Sequence, residues 1–170
     1  MTAFSSAQIK ELMKKEPPVV SGYIDLEAQL QPSGFDLTLR EVNAFSSAGK
    51  ITCDNASRRI SELGAMEFDS GNQLYLAPGA YLLTYNEIVS LPLNLMALAL
   101  PRSSLLRSGV TVNTAVWDPG YTGRAQSMLT VLNPSGFSVE RNARVVQLVF
   151  LLVEGQTDGY RGAYQRENMD

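Results

Sequence analysis

The side chains best suited to chemistry lie between residues 101 and 150, where five arginines stand against two carboxylates, Asp118 and Glu140. An arginine guanidinium presents a planar fork of donors that matches phosphate oxygens. The sequence contains no histidine and a single cysteine, Cys53. This excludes serine triads, His-ligated zinc and the His/Cys/Cys centre that attacks a base through a metal-bound water. Catalysis would therefore use carboxylates, hydroxyls, amides, arginines or an oxygen-bound cation such as Mg²⁺.

Two short segments hold the most suggestive of these groups. Residues 102–104 (RSS) precede a predicted helical turn over residues 103–108, whose unpaired backbone N–H groups and hydroxyls would face an anion. Residues 118–121 (DPGY) are typical of a tight turn inside a hairpin. Taken alone, the first segment also matches a capped helix with a surface arginine, and the second matches an ordinary surface turn. Their function therefore depends on what surrounds them.

The elements that must position these segments are mostly short strands. A capping box at Ser5 and Gln8 predicts a helix over residues 6–15, and alternating apolar residues predict a half-buried strand over residues 35–40. Weak patterning predicts long loops over residues 43–71. Further strands are predicted over residues 74–76, 81–85, 95–100, 110–112, 127–132 and 145–153, with turn sequences between them. This organisation predicts an all-β sandwich or barrel in a single domain, residues 1–170.

Composition limits the cellular setting and the partners. The chain is 45% hydrophobic and 18% charged, as expected for a soluble globular protein. No stretch approaches the roughly 18 apolar residues that a membrane span needs, and residues 1–15 lack the pattern of a secretion signal. The lone cysteine favours a reducing cytoplasm. Without a lysine-rich tract, nucleic acid is not an expected partner.

Four motifs occur in a characteristic order: residues 31–37 (QPSGFDL), 101–105 (PRSSL), 113–123 (NTAVWDPGYTG) and 143–148 (ARVVQL). With the N-terminal helix and residues 160–165 (YRGAYQ), they resemble the trimeric all-β family of dUTP pyrophosphatases and dCTP deaminases. The resemblance spans nearly the whole chain except residues 43–72. It implies a distorted jelly-roll or β-clip barrel, a helix within residues 1–17, and a tail over residues 158–170 that closes the site. It also implies a homotrimer that binds a deoxynucleoside triphosphate.

The third motif would carry the hydrolytic chemistry. By resemblance, Asp118 is the carboxylate that orients and deprotonates a water. Tyr121 is the ring beneath the deoxyribose that leaves no room for a 2′-hydroxyl. The hairpin backbone would present donors and acceptors to uracil, and Asn113 could add a side-chain amide.

The other motifs would bind the triphosphate. The resemblance implies that Arg102 and Ser103 contact its oxygens and that Gln147 contacts the α-phosphate. Asp36 would have a structural role or hold Mg²⁺ through water. The remaining predicted substrate contacts are Ser104, Arg107 towards the base end of the site, and Tyr164 and Gln165 in the tail.

The two branches of this family differ at one residue. A deaminase needs a glutamate on the strand after the hairpin, because protons must move between water and the cytosine amino group. Here that strand covers residues 124–133. Counting forward from Asp118 puts Met128 at the position of the glutamate, and counting back from Asn133 puts Thr130 there. The prediction is therefore hydrolysis of dUTP to dUMP and pyrophosphate by Mg²⁺-assisted attack of water on the α-phosphorus.

Two alternatives stay open. The N-terminal half and the tail look more like the deaminase branch, so a dCTP deaminase, alone or bifunctional with a dUTPase, is the first. Its acid would then come from outside this strand, and Glu140 and Glu167 are the first candidates. The second is a nucleotide-binding module without turnover. Retention of Asp118 argues against this module, because a protein that only binds has no need of a water-activating carboxylate.

Overall fold

Within residues 2–169, the part of the chain that the computed structural model describes, there are three short helices and thirteen strands. The predicted domain and tail bounds at residues 1 and 170 lie outside the described residues. The helices are α1 (Ser6–Met13), α2 (Leu26–Gln29) and α3 (Ser103–Arg107). The strands are β1 (Val20–Ser21), β2 (Leu30–Gln31), β3 (Gly34–Phe45), β4 (Leu63–Ala65), β5 (Gln73–Leu76), β6 (Gly79–Tyr85), β7 (Ile88–Ser90), β8 (Leu95–Pro101), β9 (Val110–Asn113), β10 (Thr122–Gly123), β11 (Gln126–Val131), β12 (Phe137–Glu140) and β13 (Arg144–Leu152).

The main sheet nearly closes into a barrel. Its antiparallel strands run in the order β8-β13-β3-β6-β11-β9, and β2 and β4 pair with β3. The two edges approach each other just beyond β9, where Trp117 exchanges backbone hydrogen bonds of 2.9 and 3.0 Å with Ala97 of β8. Strands β1, β7 and β10 form a second sheet, and β5 pairs with β12. The all-β barrel predicted from the sequence is therefore confirmed.

The predicted N-terminal helix is confirmed, although it is shorter than expected. The backbone N–H of Gln8 donates to the Ser5 hydroxyl, and the Gln8 side chain accepts from the Ser5 backbone N–H over 3.0 Å. Ile9 is fully buried and anchors the helix to the barrel core. The helix ends at Met13, two residues before the predicted end.

Strand β3 differs from its prediction in burial. Phe35, Leu37 and Leu39 face the core as the alternation predicts, but Asp36 and Thr38 are also buried, with 2% of their surface exposed. The prediction of a half-buried strand was wrong because polar partners from distant elements cover the other face. Buried polar side chains are tolerated where such partners satisfy their hydrogen bonds.

The weakly patterned segment contains strand β4, which pairs with the end of β3, and an extended loop. We call residues 46–62 of this loop the arm; its two sides meet at the backbone bridge between Lys50 and Arg59. The other predicted strands correspond to β5, β6, β8, β9, β11 and β13, and the predicted helical turn is α3. The elements that were not predicted are all short, with two to four residues each. Among the described residues, no helix is long and apolar enough to cross a membrane.

Candidate functional site

A cavity of about 530 Å³ lies beside residues 113–123, which we call the hairpin. Asp118 and Tyr121 of the hairpin line it, and the barrel contributes Leu82 and Gln126. The cavity has two further walls outside the barrel sheet. One comes from the arm and its flanking residues, and the other comes from residues 158–169, which we call the tail. Its lining is mostly apolar with a few polar groups, as in small-molecule sites generally.

The hairpin presents Asp118 at a tight turn, as predicted. The Tyr121 backbone N–H donates to the Asp118 carbonyl over 3.1 Å, and Gly120 adopts a φ of 80°, which favours glycine. Backbone hydrogen bonds of 2.8 and 3.0 Å to Leu91 fix the turn to the barrel. The Asp118 side chain is exposed and, within residues 2–169, accepts no hydrogen bond from the protein. Its carboxylate is therefore free to bind water.

Tyr121 is packed tightly against the tail. Only 6% of its surface is exposed, and its hydroxyl donates to the Glu167 carboxylate over 2.9 Å. Burial and the neighbouring negative charge of Glu167 raise the pKa of Tyr121, so its hydroxyl remains a hydrogen-bond donor. A Cβ atom at Gly123 would lie 2.7 Å from this hydroxyl, so no larger residue fits there without displacing the ring.

The tail lies along the hairpin of its own chain. The Gln165 side chain accepts from the Thr122 N–H and donates to the Gly120 carbonyl, both over 2.8 Å. The Arg124 N–H donates to the Glu167 carbonyl over 2.9 Å. Tyr164 lines the cavity, whereas both ends of the Gln165 amide bind the hairpin. Of the two predicted tail contacts, only Tyr164 therefore faces the cavity.

Glu167 was predicted only as a candidate acid for deamination, beside Glu140, and not as a contact of the substrate. It lines the cavity with Asp118, and burial raises the pKa of its carboxyl while the hydrogen bond from Tyr121 opposes that shift. The one available signal was its position as an acidic residue next to the motif-bearing stretch of the tail. The arm was missed too, although Ile60 contributes to the cavity wall and Arg58 lies 5.7 Å from the centroid of the Tyr164 ring.

The predicted phosphate contacts Arg102, Ser103 and Gln147 lie in a second group, together with Asp36 and with Arg144, which was not predicted. We call this group, Asp36, Arg102, Arg144 and Gln147 with the start of α3, the strand-end cluster. Arg102 Nε lies 3.0 Å and Arg144 Nη1 lies 3.3 Å from Asp36 Oδ2. Burial raises the pKa of the Asp36 carboxyl, and the two guanidinium groups act in the opposite direction. Asp36 thus holds both arginines in place. Its role towards Mg²⁺ stays a prediction.

Three adjacent strands bring this cluster together. Gln147 of β13 pairs with Asp36 of β3 on one side and with Leu100 of β8 on the other. Strand β8 ends at Pro101, so Arg102 follows immediately and Ser103 begins α3. The other predicted contacts in this region, Ser104, Arg107 and Asn113, are exposed.

The two groups do not share one cavity in a single chain. Asp118, Tyr121 and Tyr164 line the cavity, whereas Arg102, Ser103 and the other predicted phosphate-binding residues do not. Asn113, at the end of β9, is also absent from the lining. The residues predicted to bind one nucleotide are therefore divided between two regions of the molecule.

No group of three or more His, Cys, Asp or Glu residues within the described part of the chain could hold a metal ion. The protein therefore offers no preformed metal cage there. Mg²⁺ usually keeps several waters and binds through one or two carboxylates together with substrate phosphates.

A family model described as dCTP deaminase-like matches residues 3–153. The chain belongs to the dCTP deaminase-like family. This confirms the resemblance read from the four motifs, all of which lie within the matched residues. The tail lies beyond them.

Relatives in this family cover the chain from end to end. A Methanosarcina mazei protein named "Probable deoxyuridine 5′-triphosphate nucleotidohydrolase" is 44% identical over 169 residues, 99% of each chain. An Archaeoglobus fulgidus protein of the same name is 44% identical over 170 residues, covering 100% of this chain and 99% of its own.

Among solved structures, the 2′-deoxycytidine 5′-triphosphate deaminase of Agrobacterium tumefaciens has a similar fold. The TM-score is 0.65 at 22% identity over 87% of this chain. The chain spans about half the length of that deaminase, with 46% of it covered. At this identity the likeness supports the fold of the family and leaves the reaction open.

Proposed function

We propose that the protein hydrolyses dUTP to dUMP and pyrophosphate. The observation that carries the proposal is the exposed Asp118 carboxylate, which has no hydrogen-bond partner within residues 2–169. It lies in a cavity that also holds the buried Tyr121 ring. The names of relatives that are 42–44% identical over nearly the whole chain support the same substrate.

Asp118 acts as the general base. It accepts a hydrogen bond from a water and takes its proton as the water oxygen bonds to the α-phosphorus. The bond between the α-phosphorus and the bridging oxygen breaks in line, and pyrophosphate leaves with the electron pair. Mg²⁺ bound to the triphosphate would neutralise charge on its oxygens.

Arg102, Ser103 and Gln147 position the triphosphate in this proposal. Two donor groups of an arginine can bind phosphate oxygens together, and the Asp36 carboxylate keeps the Arg102 guanidinium in a defined place. A fixed guanidinium loses less conformational entropy when the nucleotide binds. The strand-end cluster thus supplies orientation, while Asp118 supplies the proton acceptor.

Because the strand-end cluster does not line the cavity of its own chain, we infer that a neighbouring copy completes each site in a homotrimer. The outer face of β8 supports this assembly. Leu98 and Leu100 are 38% and 65% exposed, and Leu106 of α3 is 56% exposed. Exposed leucines of this kind are typical of a protein interface. Sedimentation at micromolar concentration should give a trimer, and a monomer would contradict the inference.

Deamination of dCTP is the second candidate. Strand β11 argues against it, because the strand brings only Gln126 to the cavity and neither Met128 nor Thr130 carries a carboxyl group. Glu167 nevertheless adds a second carboxyl group to the cavity from the tail. An acid from outside β11 could therefore replace the glutamate that a deaminase needs.

A turnover assay separates the candidates. The protein is incubated with dUTP, dCTP or dTTP, with Mg²⁺ and with excess EDTA, and pyrophosphate, ammonia and nucleotide products are measured. We expect pyrophosphate and dUMP from dUTP and no ammonia from dCTP. Ammonia release from dCTP would overturn the assignment and favour Glu167 as the acid. Nucleotide binding without any product would identify a binding module.

A further inference from the structure

Among the described residues, the buried hydroxyl of Tyr121 has a partner only in the tail, where it donates to Glu167 Oε1 over 2.9 Å. Both side chains line the cavity that contains Asp118. We propose that Glu167 is a positioning residue that fixes the Tyr121 ring and so sets the discrimination between deoxyribose and ribose. This inference rests on the proposed function, in which Tyr121 lies beneath the sugar.

Glu167 is placed by backbone hydrogen bonds between the turn of the tail and the hairpin region. Its carbonyl accepts from the Arg124 N–H over 2.9 Å, and the Arg166 N–H donates to the Thr122 carbonyl over 2.7 Å. The intervening residue, Gly123, allows a very close approach, since a Cβ there would lie 3.2 Å from the Glu167 nitrogen. The backbone therefore fixes where the carboxylate can reach.

The tail also contacts the Tyr121 ring on another side. The ring of Tyr160 meets it edge-on, with centroids 5.7 Å apart and an interplanar angle of 71°. The Tyr160 N–H donates to the Pro119 carbonyl over 2.7 Å, which holds this contact against the turn. Two tail residues, one polar and one aromatic, thus constrain the same ring.

The constraint on the Tyr121 ring matters because the ring can exclude a 2′-hydroxyl group only if it cannot move away from the sugar. Binding groups must be held within about 0.5 Å of the productive geometry to act fully. If the tail hydrogen bond is lost, the Tyr121 ring can tilt and admit the 2′-hydroxyl of a ribonucleotide. A purely structural role for Glu167 would instead lower the use of dUTP and UTP equally.

The test compares kcat/KM for dUTP and for UTP in Glu167→Ala, Glu167→Gln, Tyr121→Phe and the Glu167→Ala/Tyr121→Phe double variant. We expect Glu167→Ala to lower the dUTP preference by about tenfold, within the ~10–200-fold that such walls provide. Glu167→Gln should retain most of the preference because its amide oxygen still accepts from Tyr121. The double variant should lose no more than either single variant, since the two residues act through one bond.

The control variant is Glu154→Ala, which removes an exposed carboxylate just before the tail and should change neither rate. Hydrogen exchange of the Arg124 amide, which bonds to the Glu167 carbonyl, reports whether the tail stays docked. We expect this amide to remain protected in Glu167→Ala. If the dUTP preference falls only in variants whose Arg124 amide loses its protection, the cause is undocking of the tail, and the inference is overturned.

The remaining outcomes separate the inference from the proposed function. An unchanged dUTP preference in Glu167→Ala, with dUTP still hydrolysed, would overturn the inference and leave the proposed function standing. Equal losses for both nucleotides would also overturn it. If the unmodified protein does not hydrolyse dUTP, the proposed function fails and the inference fails with it.

Discussion

The strand-end cluster and the cavity are built in different ways. Asp36, Arg102 and Gln147 are held by three adjacent strands and by ion pairs to a buried carboxylate. The cavity depends on one barrel face together with the arm and the tail, which lie outside the main sheet. The proposed phosphate-binding end is therefore part of the barrel sheet, whereas the proposed nucleoside end is completed by segments that lie outside it.

The largest expected effect concerns Asp118, the residue that separates chemistry from binding. Asp118→Asn should lower kcat for dUTP by roughly 10²–10⁴-fold because an amide cannot take the proton of the attacking water. Nucleotide affinity and the fold should be retained. Glu140→Gln is the matched control, since Glu140 lies on β12 and contacts Gln73 away from the cavity. Near-normal turnover in Asp118→Asn would remove this residue from the mechanism.

The next effect tests whether a wall of the cavity selects the sugar. Tyr121→Ala should raise the use of UTP relative to dUTP by a factor within the ~10–200-fold range of such discrimination. Tyr75→Ala, at a tyrosine that is 60% exposed on β5, serves as the control. Circular dichroism should first show that both variants remain folded. The role of the ring would be refuted by a folded Tyr121→Ala variant with unchanged selectivity.

A substitution in the strand-end cluster should change both the stability of the protein and its affinity for dUTP. Asp36→Ala leaves two guanidinium groups without their shared carboxylate and should lower the free energy of unfolding by about 1–3 kcal/mol. KM for dUTP should rise because Arg102 is no longer fixed, while the sugar preference stays the same. Denaturant unfolding and kinetics measure these effects. A change in sugar preference would contradict the separation of the two regions.

The smallest expected effect is the pH dependence of tail docking. Burial raises the pKa of Glu167 above its ordinary value of 4.5 when the tail is docked. Docking is therefore strongest below the ordinary pKa and weakens as the pH rises through the raised value. Fluorescence of Trp117, the single tryptophan, reports on the cavity that it lines. Glu167→Gln should abolish this pH step, and its persistence would assign the step to another group.

Local patterns predicted much of the barrel and part of the site. The capping box at Ser5, the longer strands and the turn at Asp118 depend on neighbouring residues, so the sequence alone identifies them. The burial of Asp36 could not be predicted because its partner Arg144 lies 108 residues away. Tyr121 and Glu167 are 46 residues apart, and no periodic pattern links a hairpin to an irregular tail.

The arm shows the same limit. Residues 43–71 gave only a prediction of loops, yet Ile60 helps to form the cavity wall and Arg58 lies over the Tyr164 ring of the tail. Irregular segments carry no periodicity, so their contacts become visible only in the folded chain. The barrel was therefore more predictable than the walls that complete the cavity.

The most direct test of the two-region site is complementation between inactive chains. Arg102→Ala disables the strand-end cluster, and Asp118→Asn disables the cavity. Each variant alone should hydrolyse dUTP poorly, but trimers formed by co-expressing the two should regain activity, because some sites then combine an intact cluster with an intact cavity from a neighbouring copy. If mixed trimers form and remain as inactive as the single variants, the two regions do not meet across subunits on one nucleotide.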